Sequence, residues 1–169
     1  MVSHGYFCLK CIAMQYKIEY DTIKPIIEEE ISREGAQAYS DEGVSLYDGI
    51  RLISRDEAKM KRLMSEVLVA IKMQCNRFVK HADVLTSPTE PLSFLFELDL
   101  SKRRSVGKEE SLNTVFRSMT ANFMLNKYFS SKNMTDLAAK YDALALADVQ
   151  TLTRLLYEKL PPVYSQEYE

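Results

Sequence analysis

Cys8 and Cys11 stand in the Cys-x-x-Cys spacing that lets two thiolates grip one Zn²⁺. Cys75, His4 or His81 would complete a four-ligand set. A structural zinc site usually brings a second close pair, and these other candidates are scattered along the chain. Redox use of the pair would call for a following βαβ pattern, which the sequence lacks. The simpler reading makes residues 1–13 a disordered leader, or an over-extended start with Met14 as initiator. On that reading no metal and no cofactor is expected.

Lys102, Arg103, Arg104 and Lys108 are the most concentrated positive charge in the chain. They read as a solvated turn, as partners for Glu28, Glu29 and Glu30 of another copy, or as DNA contacts. In the last case each phosphate contact would add about one unit to the salt dependence of binding. His81 is expected just beyond the second helix, where a cation suits the carbonyl end of the dipole. Asp41, Glu42 and Asp48 fall in a loop, where acidic residues are ordinarily solvated. The sequence holds no Gly-rich phosphate loop, no Gly-x-Ser-x-Gly and no His-Glu-x-x-His. Its two histidines leave few recruits for acid–base work, and the chain is not expected to be an enzyme.

The chain has 169 residues, 46% hydrophobic and 27% charged. This composition excludes disorder and collagen-like structure, and the length suits a single domain with its own core. Lys plus Arg number 22 against 24 Asp plus Glu, so the charge gives no general attraction to nucleic acid or to an anionic membrane. No apolar run approaches the roughly 18–20 residues that span a bilayer. Three cysteines, an odd number, make no disulfide framework and suit a reducing, intracellular compartment.

Periodicity supplies the elements that would carry these residues. Met14, Tyr16, Ile18 and Tyr20 alternate with polar residues, which predicts a short strand. Asp21 or Thr22 then caps a helix with Pro25 in its first turn and Ile23, Ile27 and Ile31 on its inner stripe, ending near Tyr39. Ser54-Arg-Asp-Glu57 is a capping box. It opens a second helix in which Met60, Leu63, Met64, Val67, Leu68, Ile71, Cys75, Phe78 and Val79 keep helical spacing to about Lys80. Cys75 reads there as a small buried hydrophobe. After Pro88 and Pro91, Phe94, Phe96, Leu98 and Leu100 predict a second strand. It must pair with the first, with a neighbouring subunit, or with both.

A third helix is expected from about Glu109 to Phe129, with Leu112, Phe116, Met119 and Phe123 facing the core. The fourth is capped by Thr135 or Asp136 and carries Leu137, Tyr141, Leu144, Ala145, Val149, Leu152, Leu156 and Leu160 to the stop at Pro161 and Pro162. Its alanines keep it slim, and the short break before it predicts an antiparallel helical hairpin. The fold class expected is therefore mainly α: a four-helix bundle with a long hairpin and one or two short strands. Residues 14–160 would form the single domain. Residues 161–169 would form an extended arm, with Pro161, Pro162 and Tyr164 able to lie on another subunit. Tyr39, Tyr47, Tyr157, Tyr164 and Tyr168 suit either an interface or the rim of the core.

The two segments FRSMTANFMLNKYFSS and LAAKYDALALADVQTLTRLLYEKLPPVY resemble the last helices of head–tail connector, neck and tail-adaptor proteins of tailed bacteriophages and prophages. Tyr128, Tyr141, Arg154, Lys159, Pro161 and Pro162 sit in the matching places. The resemblance runs from Met14 to Tyr164 and implies a structural virion protein assembled in the bacterial cytoplasm. Copies would form a ring, twelve-fold or six-fold, between portal and tail proteins, with DNA only as passing cargo and no membrane. Ring closure needs two different patches to meet; Phe94, Phe96 and Leu98 would serve by strand addition and the arm by wrapping. The alternative is a cytoplasmic helical adaptor that binds a partner helix in a groove between helices two and four.

Overall fold

The computed structural model describes residues 12–37, 57–85, 92–100 and 107–158. Within them the chain is mainly helical, with a small antiparallel sheet. The elements run β1 (Ile12–Glu19), α1 (Tyr20–Gln37), α2 (Glu57–Gln74), β2 (Val79–Leu85), β3 (Ser93–Leu100), α3 (Glu109–Ser131) and α4 (Thr135–Tyr157).

Strand alternation determines which side of the sheet is dry. Met14, Tyr16 and Ile18 of β1 are buried, while Gln15 and Lys17 are exposed. β3 pairs antiparallel with β1, setting Met14 opposite Leu98 and Ile18 opposite Phe94. A one-residue slip would turn both inner rows to water, so burial itself holds the register. On the wet face Lys80 meets Glu97 at 3.1 Å and Lys17 meets Glu19 at 2.7 Å. Exposed pairs of this kind contribute about 0–1 kcal/mol each.

The sheet order is β1-β3-β2, and this corrects two expectations. Three strands are present among the described residues, where one or two were expected. The second helix also stops at Gln74, short of Lys80, and Val79–Leu85 forms β2. The reason is a competition for backbone groups. The Phe78 carbonyl accepts the Asp99 N–H of β3 at 2.7 Å, and the Phe78 and Val79 N–H groups turn back onto the Cys75 carbonyl. Once β3 is in place, a ladder bond replaces the next turn of helix. A register shift between Val79 and His81 interrupts the period-two pattern by which a strand is read from sequence. His81 consequently lies in β2, and its Nε2 is 2.6 Å from Asp83 Oδ2. The expected capping of the second helix by His81 is not what the structure shows.

α1 begins at Tyr20, directly after β1, which is earlier than expected, and Pro25 is thus inside the helix. Its missing N–H deprives only the Asp21 carbonyl, on an exposed residue that water can reach. Ile23, Ile27 and Ile31 are buried as their spacing requires. The Ser54 half of the capping box lies outside the described residues. Glu57 opens α2, and its carboxylate pairs with Lys61 at 3.1 Å and Lys24 at 3.4 Å.

α3 and α4 form the antiparallel hairpin that the short connection demands. Lys108 at the head of α3 reaches Leu155 and Glu158 at the foot of α4; Ser118 and Asn122 reach Asp148; Asn126 reaches Ala138. Asn133 takes the left-handed conformation in the connection (φ 59°), which asparagine tolerates better than most residues. α3 buries Leu112, Phe116, Met119, Met124, Leu125, Tyr128 and Phe129 and packs against α1, α2, α4 and β1. The Phe116 ring meets Tyr16 of β1 at 5.3 Å between centroids, which joins the helices to the sheet.

Cys75 is fully buried, as its place in the α2 stripe suggests, and burial pushes its thiol up to about 12. In a chain whose Cys8 and Cys11 are replaced by serine, Cys75 should resist iodoacetamide in the native state at about pH 8 and react in denaturant. Mass spectrometry of the adducts reads this directly, and rapid native labelling would contradict the burial.

Candidate functional site

Three sets of polar side chains sit between elements, and the first two begin from a residue that burial makes costly to leave alone. Lys108 is the first. Although it belongs to the basic turn by sequence, it is 6% exposed. Its Nζ donates to the carbonyls of Leu155 at 3.0 Å and Glu158 at 2.7 Å, and lies 3.4 Å from the Glu158 carboxylate. The last carbonyls of a helix have no partners within it, and the negative end of the dipole favours a cation. Lys108 supplies both needs at the end of α4. The expected contact of Lys108 with DNA or with another subunit is therefore corrected: its charge is used internally. Gly107 before it has φ 73°, a conformation for which glycine is favoured. Lys102, Arg103 and Arg104 lie outside the described residues.

The second set joins α1 to α4. Glu34 is 6% exposed, and its Oε1 accepts Lys140 Nζ at 2.5 Å and lies 3.1 Å from the Tyr141 hydroxyl. The same hydroxyl donates at 2.6 Å to Glu30 Oε2, which also pairs with Arg33. The Tyr141 ring stacks on Phe129 of α3, with centroids 5.5 Å apart and planes 19° apart. Burial alone would raise the pKa of Glu34. The hydrogen bonds from Lys140 and Tyr141, with the charges of Lys140 and Arg33, outweigh it and hold the carboxyl below its usual range. Burial and the Glu30 carboxylate push the Tyr141 phenol upward, so at neutral pH it remains a donor and does not act as a base. Charges and protons are matched within the group, and its chemical work is to hold α1 on α4.

A pH dependence follows from that match. A carboxyl whose folded pKa is lowered contributes stability above its unfolded pKa and loses it as pH falls through the folded value. Stability should thus decline on acidification below the ordinary carboxylate value of 4.5, and Glu34→Gln should flatten that limb. Denaturant midpoints measured against pH for both proteins test this; identical acid limbs would count against it.

The third set is a clamp inside the hairpin. Ser118 Oγ and Asn122 Nδ2 each donate to Asp148 Oδ2 at 2.8 Å, and Asn122 also reaches Ser118 at 3.3 Å. Hydrogen bonds to an ionised group are stronger than neutral ones, and these fix the rotation of α4 on α3. Elsewhere, an open cleft of about 390 Å³ lies between β1 and the start of α3, lined by Gln15, Tyr16, Lys17, Glu109, Glu110 and Asn113. Its acidic residues occupy the first turn of α3, where they favour the helix dipole.

No known protein family, curated protein or solved structure matches the chain. Several apolar side chains of the described residues are turned to water. α4 buries Ala138, Tyr141, Ala145, Leu152 and Leu156 against the body. Leu144, which its spacing places in the core stripe, is 43% exposed, and Leu146 is 52% exposed. Ala139, Ala143 and Ala147 are exposed as well. On α2, Val69 and Met73 are exposed at 55% and 70%.

The residues expected at a subunit interface fare differently. β3 is the central strand, with β1 on one edge and β2 on the other, so Phe94–Leu100 has no edge for strand addition. Phe94 and Leu98 are buried in the core, at 3% and 0% exposure. Phe96 pairs through its backbone with Tyr16 and Ala82. This corrects the expected role of Phe94, Phe96 and Leu98: strand order alone defines an edge, and β2, whose alternation the shift between Val79 and His81 interrupts, is not legible in the sequence. Pro161, Pro162 and Tyr164 lie outside the described residues, as do Cys8 and Cys11. Among the described residues no cluster of His, Cys, Asp or Glu has the makings of a metal site, and no helix is long and apolar enough to cross a membrane. Tyr157 is 45% exposed and packs edge-on against Phe78, with centroids 5.1 Å apart.

Proposed function

We propose that this protein acts by shape and association, without a reactive centre of its own, as a structural subunit of the kind that builds phage head–tail connectors. The resemblance of the last two helices supplies the class. The observation that carries the reading is the division of labour among side chains. The polar groups described above, with Lys108 and Glu34 buried among them, are turned toward one another and stiffen the body, whereas large apolar side chains on α4 and α2 are turned to water. Val69 and Met73, one turn apart on α2, and Leu144 and Leu146 on α4 leave apolar side chains exposed among polar neighbours, which suits protein-binding faces.

In this reading the four helices act as a rigid bundle-like body and the ring, of six or twelve chains, forms between portal and tail proteins in the virion. DNA passes through the lumen, and the near-neutral charge avoids gripping it. Closure rests on helix faces and on residues 161–169, since β3 has no free edge. Native mass spectrometry of the full chain, alone and with portal or tail partners, tests the proposal. Species of six or twelve chains are the expected result; a chain that stays monomeric with every such partner would reject it. The second reading, a helical adaptor, draws on the same exposed faces and predicts a one-to-one complex with a partner helix in that experiment.

A further inference from the structure

The outward face of α4 has a symmetry that neither the hairpin nor the core requires. Asp136 and Arg154 are eighteen residues apart, which at about 3.6 residues per turn is five turns, so they lie on one line along the helix. Both are exposed, and neither has an ionic partner among the described residues. Between them on the same side stand Ala143 and Ala147, with Leu146 beside them at 52% exposure. Ala143 and Ala147 are equidistant from the midpoint of the Asp136–Arg154 pair. This side of α4 is opposite Tyr141, Ala145 and Leu152, which are spent on the body.

An antiparallel second copy reverses the order of this row. Asp136 of one chain then lies level with Arg154 of the other, at both ends of the contact, and Ala143 lies level with Ala147. The alanines allow the helix axes to approach closely, and each Leu146 covers the small side chains opposite. A parallel copy would instead set Asp136 against Asp136 and Arg154 against Arg154. We infer that the outward face of α4 pairs antiparallel with the same face of a second copy, giving a two-fold dimer locked at its ends by Asp136 and Arg154. The inference does not depend on the ring reading. A self-matching contact closes at two chains, so it would shield the face in the free protein and would have to open before any one-directional ring forms. One helix pair along about 34 Å buries an area at the low end for stable complexes, which implies a reversible, concentration-dependent dimer.

Sedimentation equilibrium of the full chain over micromolar to millimolar concentration tests this. A monomer–dimer equilibrium is expected. Asp136→Arg and Arg154→Asp should each weaken it by about tenfold or more, because each sets like charges together at both ends. The double variant Asp136→Arg/Arg154→Asp should restore the original constant, and Ala143→Glu should abolish the dimer. These positions are exposed, and far-ultraviolet circular dichroism confirms the fold of each variant. A monomer throughout the range, a dimer indifferent to the single charge changes, or a double variant as weak as the singles would each overturn the inference. A six- or twelve-chain assembly that ignores all four variants would overturn it while leaving the connector reading in place.

Discussion

Replacing Phe116 with alanine is expected to destabilise the protein by about 3–5 kcal/mol, the usual cost of removing a large buried aromatic side chain. Phe116 is 0% exposed and sits where α3 crosses β1, with the Tyr16 ring 5.3 Å away. Its removal takes away apolar burial and leaves a void between two layers that are each stiff. The sheet cannot move inward to fill it, because β1 is held by β3 along its full length. The Tyr16 phenol is itself held high by burial and by Glu109, and it would gain access to water in the variant. Urea denaturation of wild type and variant measures the difference. A loss under about 1 kcal/mol would mean that this ring contact does not join the layers. Phe116→Leu, which keeps most of the volume, should recover much of the stability.

The second large effect is expected at Lys108. Lys108→Met keeps the length and the apolar stem but removes the ammonium that serves two carbonyls at the end of α4. Hydrogen bonds to a charged group contribute about 1.5–3 kcal/mol, and the lost cation at the helix end adds a few tenths to about 1 kcal/mol. A total near 2–3 kcal/mol is therefore expected, with the change concentrated in one place. Amide hydrogen exchange should accelerate in the last turn of α4 and at the start of α3, and change little in the sheet. Arginine at this position should rescue poorly, since its planar fork does not reproduce the compact reach of the ammonium. If Lys108 instead faced DNA or another chain, Lys108→Met would leave the stability of the isolated protein unchanged.

These two residues also separate what local patterns reveal from what they hide. Phe116 is legible because Leu112, Phe116 and Met119 recur at helical spacing, and burial of such a stripe is a nearest-neighbour property of the helix. Lys108 is not, because a window of sequence counts its charge along with Lys102, Arg103 and Arg104. Nothing within that window shows that the end of α4, about fifty residues on, returns to cover it. The Glu34–Tyr141 contact spans an even longer stretch of chain and has no local signature. The two carboxylates on α1 look like ordinary surface positions, and Tyr141, legible as a core residue from its spacing, gives no sign that its hydroxyl meets them until the helices are docked. Leu144 shows the opposite failure. It fits the apolar row, yet Ala145 takes the inward place, because the Ser118–Asn122–Asp148 clamp fixes the rotation of α4 and leaves Leu144 at the edge.

By itself, the sequence determined that four segments of this chain are amphipathic helix, that Met14–Tyr20 and Ser93–Leu100 contain strand-forming alternation, and that the last two helices fold back on each other. Period 3.6, period two and a short break are consequences of backbone geometry, which acts over a few residues. The tertiary structure alone decided where α2 stops, that β2 exists, that β3 is interior, and which lysine and which carboxylate are buried. Those outcomes depend on competition for the same hydrogen-bonding groups and the same dry surface by segments far apart in the chain. That competition is resolved only when the segments meet.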